Sequence, residues 1–178
     1  MRYRSKPMSR KGIEEIAEEL RRVLGIENTA YVDVIYVLEN VLPVFDAEFS
    51  LDIVPDEELD AHARAYPEDH TIKIRESVYE GARNENGRDR FTIVHEIFHF
   101  LWHGRKRISL ARNPDEIKTY EDPEWQADAF AGYFLMPTHL IRGLDAPQIM
   151  ELCGVSRSAA KCQMNIISKK DRSKPIFL

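Results

Sequence analysis

Between Ser9 and Leu24 the apolar residues Ile13, Ile16, Ala17, Leu20, Val23 and Leu24 recur three and four positions apart among charged ones. That is the period of one helix face. Ser9 is placed to cap this helix and Gly25 to end it. The same period runs from Val32 to Leu42, where Pro43 is expected to close the helix, having no N–H and clashing with the preceding turn. From Val44 to Val54 the pattern shifts toward the alternation of a strand, and Pro55 with the acidic cluster after it breaks the chain. Ala61 to Tyr66 and Thr71 to Ile74 read as the two strands of a hairpin around the turn Pro67-Glu68-Asp69-His70. A second turn, Asn84-Glu85-Asn86-Gly87, leads into a strongly apolar helix from about Asp89 to Trp102, closed by Gly104.

The segment from Arg105 to Glu121 is polar, contains Pro114 and has no clean period, so it reads as a loop that borders a cleft. Asp122-Pro123 offers a cap followed by proline at the first helical position, opening a helix that runs to about Met136 and stops at Pro137. Two shorter helices, Ala146 to Cys153 and Ser156 to Ser168, flank Gly154-Val155. These elements predict an α+β fold: N-terminal helices, a short β-sheet, and two long helices in its second half. The expected division is one domain over residues 1–140 and a helical, helix-turn-helix-like region with a basic tail over residues 141–178.

Composition narrows the class. A chain of 178 residues with 43% hydrophobic and 31% charged content suits one compact domain. No apolar run approaches the roughly 18 to 20 residues that span a bilayer, and none follows Met1-Arg2-Tyr3-Arg4-Ser5-Lys6, so the expected protein is soluble, unexported and cytoplasmic. Cys153 and Cys162, nine apart, form neither a C-x-x-C pair nor a disulfide framework and read as reduced core thiols. Residues 1–139 carry 18 Lys and Arg against 27 Asp and Glu, while residues 140–178 carry 7 against 3. An acidic body is a poor general binder of nucleic acid, because attraction to phosphate dominates that affinity.

The chemistry gathers in one helix. In Phe91-Thr92-Ile93-Val94-His95-Glu96-Ile97-Phe98-His99-Phe100-Leu101-Trp102, positions i and i+4 share a face, so His95 and His99 can converge on one metal ion with Glu96 beside them as a base. Buried inside an apolar helix, these three polar groups need partners, and a metal supplies them. A catalytic zinc requires a third protein ligand and one open position. Glu124, on the helix opened by Pro123, is the candidate, with Asp128 four residues on as the carboxylate that accepts the other N–H of a ligating imidazole. Ala127 and Ala131 are small enough to let the two helices approach closely. His103 is the rival ligand, but eight residues from His95 is about 12 Å of helix rise, against metal–nitrogen bonds of about 2.0 to 2.1 Å. It fits a cleft wall or a donor behind the ligands better. Glu121 and Asp122 read as loop and cap groups.

The block Arg90-Phe91-Thr92-Ile93-Val94-His95-Glu96-Ile97-Phe98-His99, with His103 after it, resembles the signature of the ImmA/IrrE metallopeptidases. The second block, Glu124-Trp125-Gln126-Ala127-Asp128-Ala129-Phe130-Ala131 ending in Leu135-Met136-Pro137, is similar to that family's second motif. The resemblance implies a small zincin-like fold in which His95, His99 and Glu124 hold Zn2+, Glu96 is the catalytic base and Asp128 supports a histidine. It also implies a protein substrate with regulatory output, of the repressor or antitoxin kind and often carried by phage or mobile elements. Phe98 departs from the pattern, where members usually have glycine, and a ring there is expected to narrow the cleft or change substrate preference.

For peptide hydrolysis, Glu96 would take a proton from water and pass it to the leaving amine, while Tyr66, His103, Tyr133 and His139 are candidate donors to the oxyanion. The alternative is a DNA-binding or partner-binding regulator that retains a zinc site. It rests on the helix-turn-helix-like stretch from Ala146 to Ala160, with Arg157, Lys161 and Gln163 as the expected contacts.

Overall fold

The computed structural model describes residues 3–104, 108–110 and 117–172. Strand β1 (Tyr3–Ser5) opens it and leads into helix α1 (Arg10–Val23). The Ser9 side chain accepts from the Gly12 N–H at the start of α1, and Gly25 takes a positive φ of 68° just past its end. Ile13 and Ala17 are fully buried. Arg21 is buried with them, and its guanidinium donates to the carbonyls of Phe134 at 2.6 Å and Ile26 at 2.9 Å.

The next helical stretch departs from expectation. Helix α2 (Val34–Tyr36) passes through a π-helical turn, Val37–Val41, into α3 (Leu42–Phe45), so the chain stays helical past Pro43. In the wider register Leu42 N–H bonds Val37 O, which makes room in the ladder for a residue without an N–H. Val44 and Phe45 are consequently helical and exposed, and strand β2 starts only at Ser50 (Ser50–Val54).

Strands β3 (Ala63–Tyr66) and β4 (Thr71–Arg75) form the expected hairpin, in register from Ala63 opposite Ile74 to Tyr66 opposite Thr71. β2 joins β4 in parallel on its other side, giving the order β2-β4-β3. Ile72 and Ile74 of the central strand are fully buried, and β3 is an edge. Helix α4 (Glu76–Arg83) follows β4 directly; the hydrophobic pattern did not single it out, because only Val78, Tyr79 and Ala82 turn inward.

Helix α5 (Gly87–Trp102) is capped by the Asn86 side chain, which accepts from the Arg88 and Asp89 N–H groups. Most of the predicted loop from Arg105 to Glu121 lies outside the described residues, but Ile108–Leu110 forms strand β5, antiparallel to β1, and Thr119–Glu121 forms a 3₁₀ turn. A three-residue strand carries too short a pattern to be read by alternation. Asp122 caps helix α6 (Pro123–Leu135) by accepting from the Glu124 N–H. α6 packs against α1 on one side and α5 on another, while β3 and β4 lie along α5.

Helices α7 (Thr138–Ile141), α8 (Ala146–Cys153) and α9 (Arg157–Arg172) complete the fold, with Gly154 at a φ of 63° between the last two. Ile149, Cys153, Ala160 and Ile167 are buried in the same core as the inward residues of α5 and α6. Arg90 ties the parts together: 1% exposed, it donates to the carbonyls of Val32 and Gly154 at 2.9 Å and of Cys153 at 3.3 Å. Cys162 is exposed on α9, which corrects the expectation that both thiols are core residues. No helix among the described residues is long and apolar enough to cross a membrane.

Candidate metal centre

One turn of α5 separates His95 from His99 and points both rings the same way, with their Nε2 atoms 3.0 Å apart. The first turn of α6 brings Glu124 to them: Oε2 lies 3.3 Å from His95 Nε2 and Oε1 lies 3.4 Å from His99 Nε2. One ligand atom from each of the three residues falls within 4.8 Å of the others. The histidine side chains are largely buried and those of Glu124 and Asp128 largely exposed, so the cluster opens to solvent on its carboxylate side.

Two hydrogen-bond chains fix which nitrogen faces the shared point. Gln126, fully buried, donates through Nε2 to the carbonyls of Lys6 at 2.9 Å and Tyr120 at 2.8 Å. Its Oε1 must therefore accept, and it faces His103 Nε2 at 2.9 Å. Burial holds His103 down to about 4, so it is neutral near pH 7, donates from Nε2 and accepts at Nδ1. His99 Nδ1–H donates to that acceptor at 2.8 Å, which turns the His99 Nε2 lone pair toward the shared point. On the other side His95 Nδ1–H donates to Asp128 Oδ1 at 2.8 Å, turning His95 Nε2 toward the same point.

A lone pair, a facing nitrogen and a carboxylate at one point call for a positive charge there. Burial opposes charge on His95, but hydrogen bonds to Asp128 and Glu124, with Glu96 nearby, outweigh it, and the imidazole is pushed up to about 10. The hydrogen bond from His95, with the His99 ring close by, outweighs burial and holds Glu124 well below the usual carboxylate range. In the metal-free chain a proton meets this demand. A divalent ion held by two imidazoles and a carboxylate meets it as well, so metal and proton compete for the site. Two imidazoles and a carboxylate form a donor set that can hold a divalent metal ion.

Glu96 stands beside this cluster and is bound from the sheet: its Oε2 accepts from the Ala65 N–H at 2.7 Å, on the side of β3 that does not pair with β4. Burial raises its pKa, partly offset by His95, His99 and the Ala65 N–H. A carboxylate so balanced is suited to take up and release a proton.

The other expected residues fall in different places. His103 is buried with both ring nitrogens engaged behind His99, which leaves it no proton to offer a cleft. Tyr133 is buried beside Arg10, Glu14 and Lys170, apart from the metal cluster. His139 is exposed against the Glu27 carbonyl. Tyr66 ends β3 next to Ala65, with the Arg64 side chain close by. Phe98 does not narrow the cleft: it is fully buried, stacked on Phe130 at 4.6 Å between centroids and edge-on to His103 at 5.1 Å. One position before His99, it stands about 100° around the helix and packs inward against Phe130 of α6. Gln163, an expected DNA contact, is also buried, at 3% exposure. Sequence reasoning missed Gln126, although an amide amid the small and apolar residues of α6 signals a buried group in need of partners. The Ala65 N–H carries no side-chain signal at all.

An edge strand lying along a helix with two histidines one turn apart, met by a carboxylate from the next long helix, defines a small zincin-like α+β fold. The chain belongs to the ImmA/IrrE family: the model of the IrrE N-terminal-like domain, Peptidase_M78, matches residues 52–162. A Mycobacterium tuberculosis transcriptional regulator of known structure shares the fold at 17% identity, with a TM-score of 0.58 over 86% of this chain and 46% of that one. The chain thus spans about half the length of that neighbour. No curated protein matches the sequence significantly.

Proposed function

We propose that the chain is a zinc-dependent endopeptidase that cuts a regulatory protein, of the repressor or antitoxin kind, at a defined site in the cytoplasm. The observation that carries this reading is the convergence of His95 Nε2, His99 Nε2 and the Glu124 carboxylate beside a base, Glu96, whose other function is to bond the edge strand. His95, His99 and Glu124 would hold the zinc, with Asp128 behind His95 and the His103–Gln126 chain behind His99. When bound, zinc supplies Lewis acidity, making water more acidic and a carbonyl more electrophilic. Glu96 takes the proton of the attacking water on the oxygen not bonded to Ala65 and returns it to the leaving amine nitrogen. Family membership favours a peptidase and hence a protein substrate.

The test is to incubate the chain with a repressor or antitoxin encoded beside it and to follow cleavage by mass spectrometry. Cleavage is expected with zinc, and its loss with a chelator or with Glu96→Gln, which retains the metal. Cleavage at the wild-type rate by Glu96→Gln would sink the mechanism. The regulator reading has exposed Arg157 and Lys161 on α9 in its favour, and its structural neighbour is named a transcriptional regulator. It predicts a salt-dependent shift of duplex DNA that is lost when both residues are replaced.

A further inference from the structure

Two unfavourable choices in this chain meet at one spot. Gly132 sits in the interior of α6, where glycine disfavours helix relative to alanine. A Cβ at that position would stand 2.9 Å from Gln163 Oε1, so glycine makes room for the Gln163 carboxamide of α9. That carboxamide belongs to a residue only 3% exposed, and its Nε2 has no hydrogen-bond partner. Buried amides are nearly always satisfied, and leaving one unpaired costs stability. Both choices become intelligible if Nε2 serves an acceptor that arrives from outside.

Gln163 lines a groove of about 570 Å³ between α5, α6 and α9, within the size range of small-molecule sites. Phe91, Trp125 and Met136 give it apolar walls. Its charged groups are Arg10, Arg88 and Asp128, two cations against one carboxylate, and Asp128 is already accepting from His95. The Arg10 guanidinium lies over the Trp125 ring at 4.9 Å, which holds a cation at the edge of an aromatic wall. Ser156 and Ser158, at the N-terminal end of the 16-residue helix α9, also face the groove, where the helix dipole is positive. Donors and positive charge therefore surround an apolar floor.

We propose that this groove binds a small ligand with a flat apolar body and an anionic end, carboxylate or phosphate, which accepts a hydrogen bond from Gln163 Nε2. None of His95, Glu96, His99 and Glu124 lines the groove, so the proposal stands apart from the hydrolytic reading. Its occupant lies against Asp128, the carboxylate that orients His95.

Phenylacetate and phenyl phosphate serve as probes, titrated separately into the full chain by calorimetry and tryptophan fluorescence, with benzyl alcohol as the neutral counterpart. At least one anion is expected to bind saturably and benzyl alcohol far more weakly; the tighter anion identifies the head group. Gln163→Leu is expected to weaken that binding about tenfold or more, the factor for one lost hydrogen bond to a charged group. Gly132→Ala displaces the carboxamide without touching the other donors and is expected to weaken binding similarly, which keeps the test open if the leucine variant folds poorly. Absence of saturable binding by both anions, binding of benzyl alcohol equal to theirs, or anion binding unchanged in the folded variants overturns the proposal.

Discussion

Side chain by side chain, the metal centre depends on groups that never touch the metal point. Gln126 can offer only its carbonyl oxygen to His103 because its N–H donors are used on Lys6 and Tyr120, and that choice passes through His103 to the tautomer of His99. Gln126→Leu and Asp128→Ala are each expected to lower zinc affinity about 10- to 100-fold, as loss of a group behind a metal ligand generally does. Competition against a chromophoric chelator measures this, and unchanged affinity in both variants would remove the tautomer argument. His95 with His99, and Glu124 with Asp128, were legible as pairs in the sequence because a spacing of four residues puts two groups on one helix face. Gln126 was not, since its partner Lys6 lies 120 positions away. Neither was the Ala65 N–H, which any residue except proline would supply.

Among elements, the helix starts at Ser9 and Asp122 were readable because each cap is local, and the misreadings fall where packing overrides local preference. Pro43 stays inside a helix because the π turn before it reshapes the ladder. That turn is fastened to α4 by the Tyr79 hydroxyl, which donates to Glu39. The hydrogen bond to Glu39, with burial, pushes the Tyr79 phenol up to about 12. The folded value thus exceeds the unfolded value of about 10, so the contribution is complete below about pH 10 and is lost as pH rises through 12. Urea melts between these pH values should show this loss, and Tyr79→Phe should remove that part of the slope. Helix α5 begins against the turn between α8 and α9, where a Cβ on Gly87 would stand 2.4 Å from the Val155 carbonyl carbon. Gly87→Ala is expected to cost about 1 to 3 kcal/mol, the usual range for overpacking, measured by equilibrium denaturation.

For the molecule as a whole, Arg90 is the joint, a buried guanidinium whose hydrogen bonds reach the segment before α2 and the turn after α8 from one position on α5. Arg90→Met fills the volume but strands buried carbonyls, and on the order of 3 kcal/mol or more of stability is expected to be lost in a single cooperative transition. Separate melting of the C-terminal helices in that variant would show that the core is not shared. The sequence alone determined the helix faces, the hairpin and the one-turn spacings of His95 with His99 and of Glu124 with Asp128, because each depends on neighbours within about one helical turn or one strand alternation. Tertiary structure decided the parallel place of β2, the bond from the edge strand to Glu96, the inward turn of Phe98 and the meeting of Gly132 with Gln163. These join residues 21 to 32 positions apart, and no local period records which of them the packed chain will bring together.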